Sequence, residues 1–338
     1  MINFEIINVD NIDEKEFNDF RDKLIFQTKE WIGFIMETQK VTPIILRMSE
    51  NDQLIGYFTG FLFKKFGIKI IGSPFRGWTT LYMGMNLKEG IAYERSYIAK
   101  LVWKFLKKKY HCVYFEMIDR FITKEEAKKN KLRFEFQGTY IKDLSGTEEE
   151  LLTSFNKHCR KYIRNFEKSE VKVIFEEPND DFANLYYSQL EKVFGYQKLT
   201  PSYDLKRVKC LLAALKEKDY VVCIKAVTPE GECVGTTMGF GFNGRGYTWG
   251  STNIRGEKDY KQSQGLRWEM MKHWRSKQCY DYDFVGIREY KLQFNPTEIQ
   301  VPRIIFTSFV PLIWLRNLAQ KCYWALNSLK SKLKKKEK

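Results

Sequence analysis

The alternation of apolar and polar positions divides the first 145 residues into short strands and two helical stretches. Phe4–Val9 reads as a strand and Glu14–Thr38 as helical material. Ile44–Met48, Leu54–Phe63 and Ile68–Gly72 read as three antiparallel strands, with Glu50-Asn51-Asp52 as the first turn. A loop rich in glycine and aromatics follows, SPFRGWTTLYMG over 73–84. The spacing then predicts a helix over Tyr93–Lys108 with Tyr97, Leu101 and Phe105 facing inward, and a strand over Cys112–Met117. A lysine-rich helix or turn at 124–131 leads to a strand at Phe134–Lys142.

The second half repeats the plan. A helix is predicted within 148–177, where His158, Arg160, Lys161 and Arg164 precede a strand at Val171–Phe175. Helices at Phe182–Phe194 and Leu205–Lys216 flank a polar link at 195–204. Strands Tyr220–Val227 and Glu232–Asn243 meet at Thr228-Pro229-Glu230-Gly231, a hairpin turn. A strand from Tyr247, a polar loop, a helix over Gln262–Lys277 and a strand over Tyr280–Phe284 then make a crossover unit. That helix carries Leu266, Met270, His273 and Trp274 on one apolar face, with Arg267, Glu269 and Lys272 turned away. The unit places the loop and the helix N-terminus at the mouth of a sheet, where backbone N–H groups meet anions.

Three blocks recur in the same order. GYFTGFLF (56–63) matches GTTMGFGF (235–242), and IIGSP (70–74) matches TWGST (248–252). KKYHCVYFE (108–116) matches SKQCYDYD (276–283), aligning Cys112 with Cys279 and Glu116 with Asp283. The chain is therefore read as two copies of one α/β unit, each a mixed, largely antiparallel sheet flanked by helices. The join lies near 145/146, where Ser145-Gly146-Thr147 opens an acidic helix start. The expected division is 1–145, 146–300 and a basic amphipathic tail at 301–338.

Composition adds a partner class. The 338 residues are 43% hydrophobic and 16% aromatic, enough for two sizeable cores. The formal charge of +15 points to nucleic acid, a phosphorylated substrate or an anionic lipid surface. KSKLKKKEK at 330–338 supplies six lysines against one glutamate. From Pro311 the tail repeats Leu312, Leu315, Leu318, Cys322, Ala325, Leu326 and Leu329 at helical spacing. That pattern suits either a helix lying on an anionic membrane leaflet or one packed on the preceding domain. Seven cysteines without a C-x-x-C pair suggest free thiols in a reducing cytoplasm. The first residues lack a secretory pattern, so the expectation is cytoplasmic, with peripheral attachment to the inner face of the membrane. No His, Cys, Asp or Glu spacing indicates a metal.

The series SFNKHCRKYIRNFEKSEVKV, GTTMGF, YTWGST, LRWEMMKHWRSKQCYDYDF and EYKLQF resembles the Fem-type (FemABX) transferases and their acyltransferase relatives, tandem folds of the GNAT superfamily. The likeness runs from about Gln27 to about Pro302 and is strongest over 150–295. It implies transfer of an acyl or aminoacyl group to an amine, usually on a cell-wall (peptidoglycan) or surface-polysaccharide precursor. The donor it implies is acyl-CoA or, in Fem proteins proper, aminoacyl-tRNA. The chain departs from the pattern twice. Gln262-Ser263-Gln264-Gly265-Leu266-Arg267 fits only the first half of the superfamily's Q/R-x-x-G-x-G/A element, and the long helical hairpin of many Fem proteins is missing.

Candidate chemistry follows from both readings. Asp281 and Asp283 share one strand face, and Asp283 suits a base or an orienter of the acceptor amine. The competing reading pairs it with Arg288 or lets it cap a turn. Lys291, in EYKLQF, matches the F/Y-K-x-x-F element of Fem-like proteins, whose lysine faces the donor; it would neutralise a phosphate or stabilise an oxyanion. Gln262, Gln264 and Gly265 would offer backbone N–H groups to a pyrophosphate, or form an ordinary helix cap. Tyr247, Trp249 and Tyr260 would wall the acyl pocket, or belong to the core. Arg160 and Arg164, one turn apart, would meet an acceptor phosphate or tRNA, with Arg288 as a further substrate contact, and Lys198 lies near the acceptor-phosphate contact of Fem proteins. In the first copy Arg76 and Trp78 would hold an anion and a sugar, in a half that has lost the donor loop. Three functions follow: an acyl-CoA-type N-acyltransferase, a tRNA-dependent aminoacyltransferase for peptidoglycan cross-bridges, and a non-catalytic anion-binding module.

Overall fold

The computed structural model describes residues 1–309 except 66, 257 and 258, together with 311, 314 and 316. In chain order the first half comprises β1 (Asn3–Ile7), α1 (Glu14–Asn18), α2 (Lys29–Gln39), β2 (Thr42–Glu50), β3 (Gln53–Lys65), β4 (Ile68–Ser73), β5 (Gly84–Leu87), α3 (Arg95–Tyr110), β6 (Tyr114–Ile118), α4 (Lys124–Lys129) and β7 (Phe134–Asp143). The second comprises α5 (Glu148–Thr153), α6 (Lys157–Glu167), β8 (Lys172–Glu176), α7 (Asp180–Tyr196), α8 (Leu205–Leu215), β9 (Val221–Val227), β10 (Cys233–Phe242), β11 (Arg245–Ser251), α9 (Gln262–Ser276), β12 (Asp281–Asp283) and β13 (Thr297–Thr307).

The thirteen strands among the described residues join one mixed sheet. Its order is β1-β2-β3-β4-β6-β13-β7-β12-β11-β10-β9-β8, with β5 paired to β3 off this path. The order is palindromic once β1, β2, β3, β4, β6 and β7 are equated with β8, β9, β10, β11, β12 and β13. The three recurring sequence blocks fall on the equated strands. In each half one parallel pair, β4 with β6 and β11 with β12, brackets a crossover helix, α3 or α9. Each half also lends its last strand to the other. β7 pairs with β12, β13 pairs with β6, and β7 and β13 run antiparallel side by side at the centre.

The structure departs from the sequence reading in two places, the first of them because of this exchange. Residues 301–307, expected to begin the tail, are the second half of β13. They are buried at Val301, Ile304 and Ile305 because the strand lies in the middle of the sheet. The predicted tail helix otherwise lies outside the described residues. Within 148–177 the helix is broken in two: Thr147 and Glu150 form a capping box for α5, and Asn156 starts α6 by accepting from the Cys159 N–H at 2.8 Å. The described cysteines, six of the seven, are free thiols. Among the described residues no helix is long and apolar enough to cross a membrane.

Side-chain facing was legible on α9 only in part. Leu266, Met270 and Trp274 are buried as expected, but so is Arg267, whose Nη1 donates to the Ser263 carbonyl at 2.8 Å. On α3 the buried stripe is Ile98, Ala99, Val102 and Leu106, and Tyr97, predicted to face inward, is 43% exposed. The large core cluster between the halves draws Phe26, Trp31 and Tyr82 from the first and Tyr186, Leu211, Phe240 and Tyr247 from the second.

Candidate active site

The parallel ladder between β11 and β12 lasts three residue pairs, Arg245–Asp281, Gly246–Tyr282 and Tyr247–Asp283. Beyond it the strands part. Val285 and Gly286 turn away with φ of 60° and 83°, while β11 continues to Ser251. Thr248 to Ser251 therefore have a strand partner on the β10 side alone. A bulge adds to this: Gly239 pairs with Thr248 and Met238 with Gly250, so Trp249 is the extra residue. Trp249, Gly250 and Ser251 are half-buried at the edge of this opening.

An aromatic wall backs the opening. The Tyr203 ring lies 4.7 Å from that of Trp249, and the Tyr186 and Tyr203 hydroxyls are 2.7 Å apart. Burial pushes the Tyr203 phenol up to about 12. Gly250 is required here, because a Cβ would sit 1.9 Å from the Tyr186 hydroxyl. Tyr203 also lines a groove of about 460 Å³ between the 37–40 end of α2 and the start of α8, together with Lys40, Tyr187, Lys206 and Arg207. Arg207 donates from Nη2 to the Trp78 carbonyl, and its Nε is buried without a partner. Burial lowers its affinity for a proton. Tyr203 thus borders both the strand opening and the groove.

The structure gives Asp283 a different task from that of a base. It is fully buried, and both carboxylate oxygens are occupied. Tyr82 Oη donates to Oδ2 at 2.8 Å; Thr139 Oγ1 and the Val285 N–H donate to Oδ1 at 2.6 and 2.7 Å. These donors come from the first half's loop, from β7 and from the turn after β12, so Asp283 fastens the exchanged strands. Burial raises its pKa, against the opposing pull of Arg120 and the Thr139 hydrogen bond. Glu116, its counterpart on β6, plays the equivalent part with Arg303 at 3.0 Å.

Lys291 is also buried. Its three ammonium protons go to the carbonyls of Phe284, Val285 and Gly286 at 2.7, 2.9 and 3.0 Å, which fixes the turn where β12 leaves β11. Burial first, then the nearby Arg267 charge, lowers its pKa to about 8. The lysine shapes the opening without facing it.

At the start of α9, Gln262 spends its side-chain amide on the Val234 and Ile254 carbonyls, and Gln264 bonds to Gln293. The Gln264 and Gly265 N–H groups both donate to the Lys261 carbonyl, and a Cβ on Gly265 would meet the Phe166 ring at 2.1 Å. Gly265 thus serves helix packing. The helix has no side-chain cap, which leaves the Gln262 and Ser263 amides at its end.

Tyr247 is buried under the opening, its ring 5.0 Å from that of Phe26. Tyr260 packs on the core beneath α9. Arg160 donates to the Thr153 and Phe155 carbonyls and ties α5 to α6. Arg164, Lys198 and Arg288 are exposed and hold no ion-pair partner among the described residues. Arg76 pairs with Glu135 at 2.9 Å. Trp78 packs against Phe75 and Phe61, with ring centroids at 4.9 and 5.7 Å.

Of the sequence candidates, the structure gathers Trp249, Tyr247 and Trp78 around the junction of the halves and leaves Arg160, Arg164, Lys198 and Arg288 elsewhere. Tyr186, Tyr203 and Arg207 were missed. Tyr203 lies in the polar link, and Tyr186 and Arg207 lie in the helices on either side of it, where Asp204 is the helix cap that positions Arg207.

No family model and no curated protein matches the sequence. Solved structures do. FemX superposes with a TM-score of 0.73 at 13% identity, covering 92% of this chain and 99% of its own. The chain has the tandem GNAT-like fold of FemX. A tandem GNAT protein from the clavulanic acid biosynthesis pathway matches with a TM-score of 0.54 at 7% identity, covering 91% of this chain and 98% of that one. A conserved protein of unknown function from Bacteroides thetaiotaomicron matches with a TM-score of 0.54 at 14% identity, covering 91% and 100%. The FemX-like architecture thus spans both halves.

Proposed function

We propose that the protein transfers an acyl group from an activated donor to an amine of a phosphorylated cell-envelope or surface-polysaccharide precursor. The observation that carries this reading is the parting of β11 from β12 at the bulged Trp249, beside the uncapped start of α9. The unpaired backbone edge of Trp249–Ser251 would polarise the donor carbonyl, and the α9 amides would hold a donor phosphate. The amine arrives neutral and attacks the carbonyl carbon. A C–N bond forms, the bond to the leaving sulfur or oxygen breaks, and the nitrogen's proton leaves with that atom. The acceptor lies in the groove, its phosphate on Arg207, Lys40 and Lys206, with Tyr203 between the two substrates.

Acyl-CoA is the first donor. Aminoacyl-tRNA is the second reading, favoured by the higher structural likeness to FemX and by Gly265, which packs against Phe166 rather than facing a pyrophosphate. Thermal denaturation with each donor tests the pair. A ligand at ~100 times its Kd adds about 2.7 kcal/mol, a readable rise in melting temperature. A rise with CoA alone supports the first donor, and a rise with tRNA alone the second. No rise with either, and no acylated amine by mass spectrometry, overturns the reading.

A further inference from the structure

The sheet ends at β8, which among the described residues pairs with β9 alone. The backbone of 172–176 makes no hydrogen bond to the described residues on its other side, so the edge presents a row of open N–H and C=O groups. Ile174 is 38% exposed and Phe175 53%, although both lie within the strand.

Side chains alternate along this edge. Lys172, Ile174 and Glu176 lie on one face, where Lys225 of β9 reaches Glu176 at 2.6 Å. Lys172 is exposed and has no ion-pair partner among the described residues. Val173 and Phe175 lie on the other face, against α9. Val173 packs on the cluster that holds Leu266 and Met270, and the Phe175 ring is 5.5 Å from that of His273.

The segment KVIFE is self-complementary in antiparallel register. A twofold axis at Ile174 sets Lys172 opposite Glu176 of a second copy at each end. It sets Val173 opposite Phe175 between them, and Ile174 opposite its own counterpart at the centre. Every opposed pair is then oppositely charged or apolar on both sides, the pairs that favour strand association. β1, at the far end of the sheet, lacks this property. The same operation about its middle residue brings Glu5 against Glu5 of the other copy, and like charges directly opposite disfavour pairing.

We infer that β8 is a dimer edge: two copies of this chain join antiparallel through residues 172–176, and their sheets run on across a twofold axis. Such a contact uses the same patch on both copies and closes at two. The opposite charges at both ends select this chain over an unrelated strand. Five strand residues a side is small against the ~20–30 of a standard interface, so the dimer forms at high protein concentration. The inference is independent of the acyl-transfer reading.

The test is sedimentation velocity of the full chain from about 1 µM to about 1 mM, a span that brackets weak dissociation constants. Wild type should pass from monomer to dimer across it. Lys172→Glu and Glu176→Lys each set like charges opposite at both ends, and each should weaken association about tenfold or more with the melting curve unchanged. Mixed in equal amounts, the two variants restore opposite charges at both ends, and the mixture should associate as wild type does. That rescue also shows that both variants fold. A wild type that stays monomeric throughout overturns the inference and leaves the edge to a strand of another protein. Single variants that dimerise like wild type overturn it too, as does a mixture that stays monomeric.

Discussion

Replacing Asp283 by alanine removes an acceptor that takes three hydrogen bonds in a fully buried site. The Tyr82 and Thr139 hydroxyls would be left without that partner. A buried polar group left unpaired costs about 1–3 kcal/mol. Two such groups and a small cavity set the loss at roughly 3–5 kcal/mol. At roughly 2–4 °C per kcal/mol, the figure for domains of about 150–250 residues, that corresponds to a fall of about 6–20 °C in melting temperature. Asparagine keeps the shape. Its oxygen accepts from Thr139 and Val285, and its amide donates to the Tyr82 oxygen, so a loss of about 1 kcal/mol is expected. The pH dependence gives an independent sign. Burial raises the folded-state pKa above its ordinary 3.8, so the folded state holds the proton longer than the unfolded chain. The wild type should therefore lose stability as pH rises from about 4 through the folded-state value, and Asp283→Asn should lack that slope. Urea denaturation at a series of pH values reads both effects. An alanine variant as stable as wild type would refute the fastening role. An asparagine variant that folds and binds but turns over a hundredfold more slowly would return Asp283 to the chemistry.

Other residues make shorter tests. Lys291→Met should destabilise the turn at 284–286. Because the lysine's folded-state pKa is lowered to about 8, the wild type should gain stability between pH 8 and 10.5. That gain should vanish in the methionine variant, and denaturation across this range checks it. Arg207→Ala should raise KM for the phosphorylated acceptor about tenfold and leave the donor's affinity unchanged, as steady-state kinetics would show. Trp249→Ala should lower donor affinity about tenfold or more while the melting temperature falls by a few degrees, read by calorimetry with each donor.

The repeat was legible because matched glycines and the Cys112/Cys279 pair mark equivalent strands, and the sheet order is palindromic about them. The exchange of β7 and β13 was not. A strand that pairs with one 156–170 residues away carries the same local signal as one that pairs at home, so Thr297–Thr307 read partly as tail. Asp283 and Lys291 looked chemical because ionisable groups among aromatics suggest a tuned site. The donors that neutralise that suggestion, Tyr82 and Thr139, lie 201 and 144 residues away. Tyr203 and Arg207 escaped notice for the opposite reason: the polar link and the helix start that follows it read as surface, and only folding brings them to Trp249 and Trp78.

The opening between β11 and β12 can be closed by one methyl-bearing side chain. Gly250→Val places a Cβ against the Tyr186 hydroxyl and displaces the aromatic wall that backs the opening. Transfer of a labelled acyl group from acyl-CoA, and of a labelled aminoacyl group from tRNA, onto an amine acceptor should be measured for wild type and for this variant. The account predicts transfer from one donor by wild type and at least a hundredfold loss in Gly250→Val, with far-UV circular dichroism unchanged. A variant that transfers as fast as wild type would contradict it, as would a wild-type protein that transfers from neither donor.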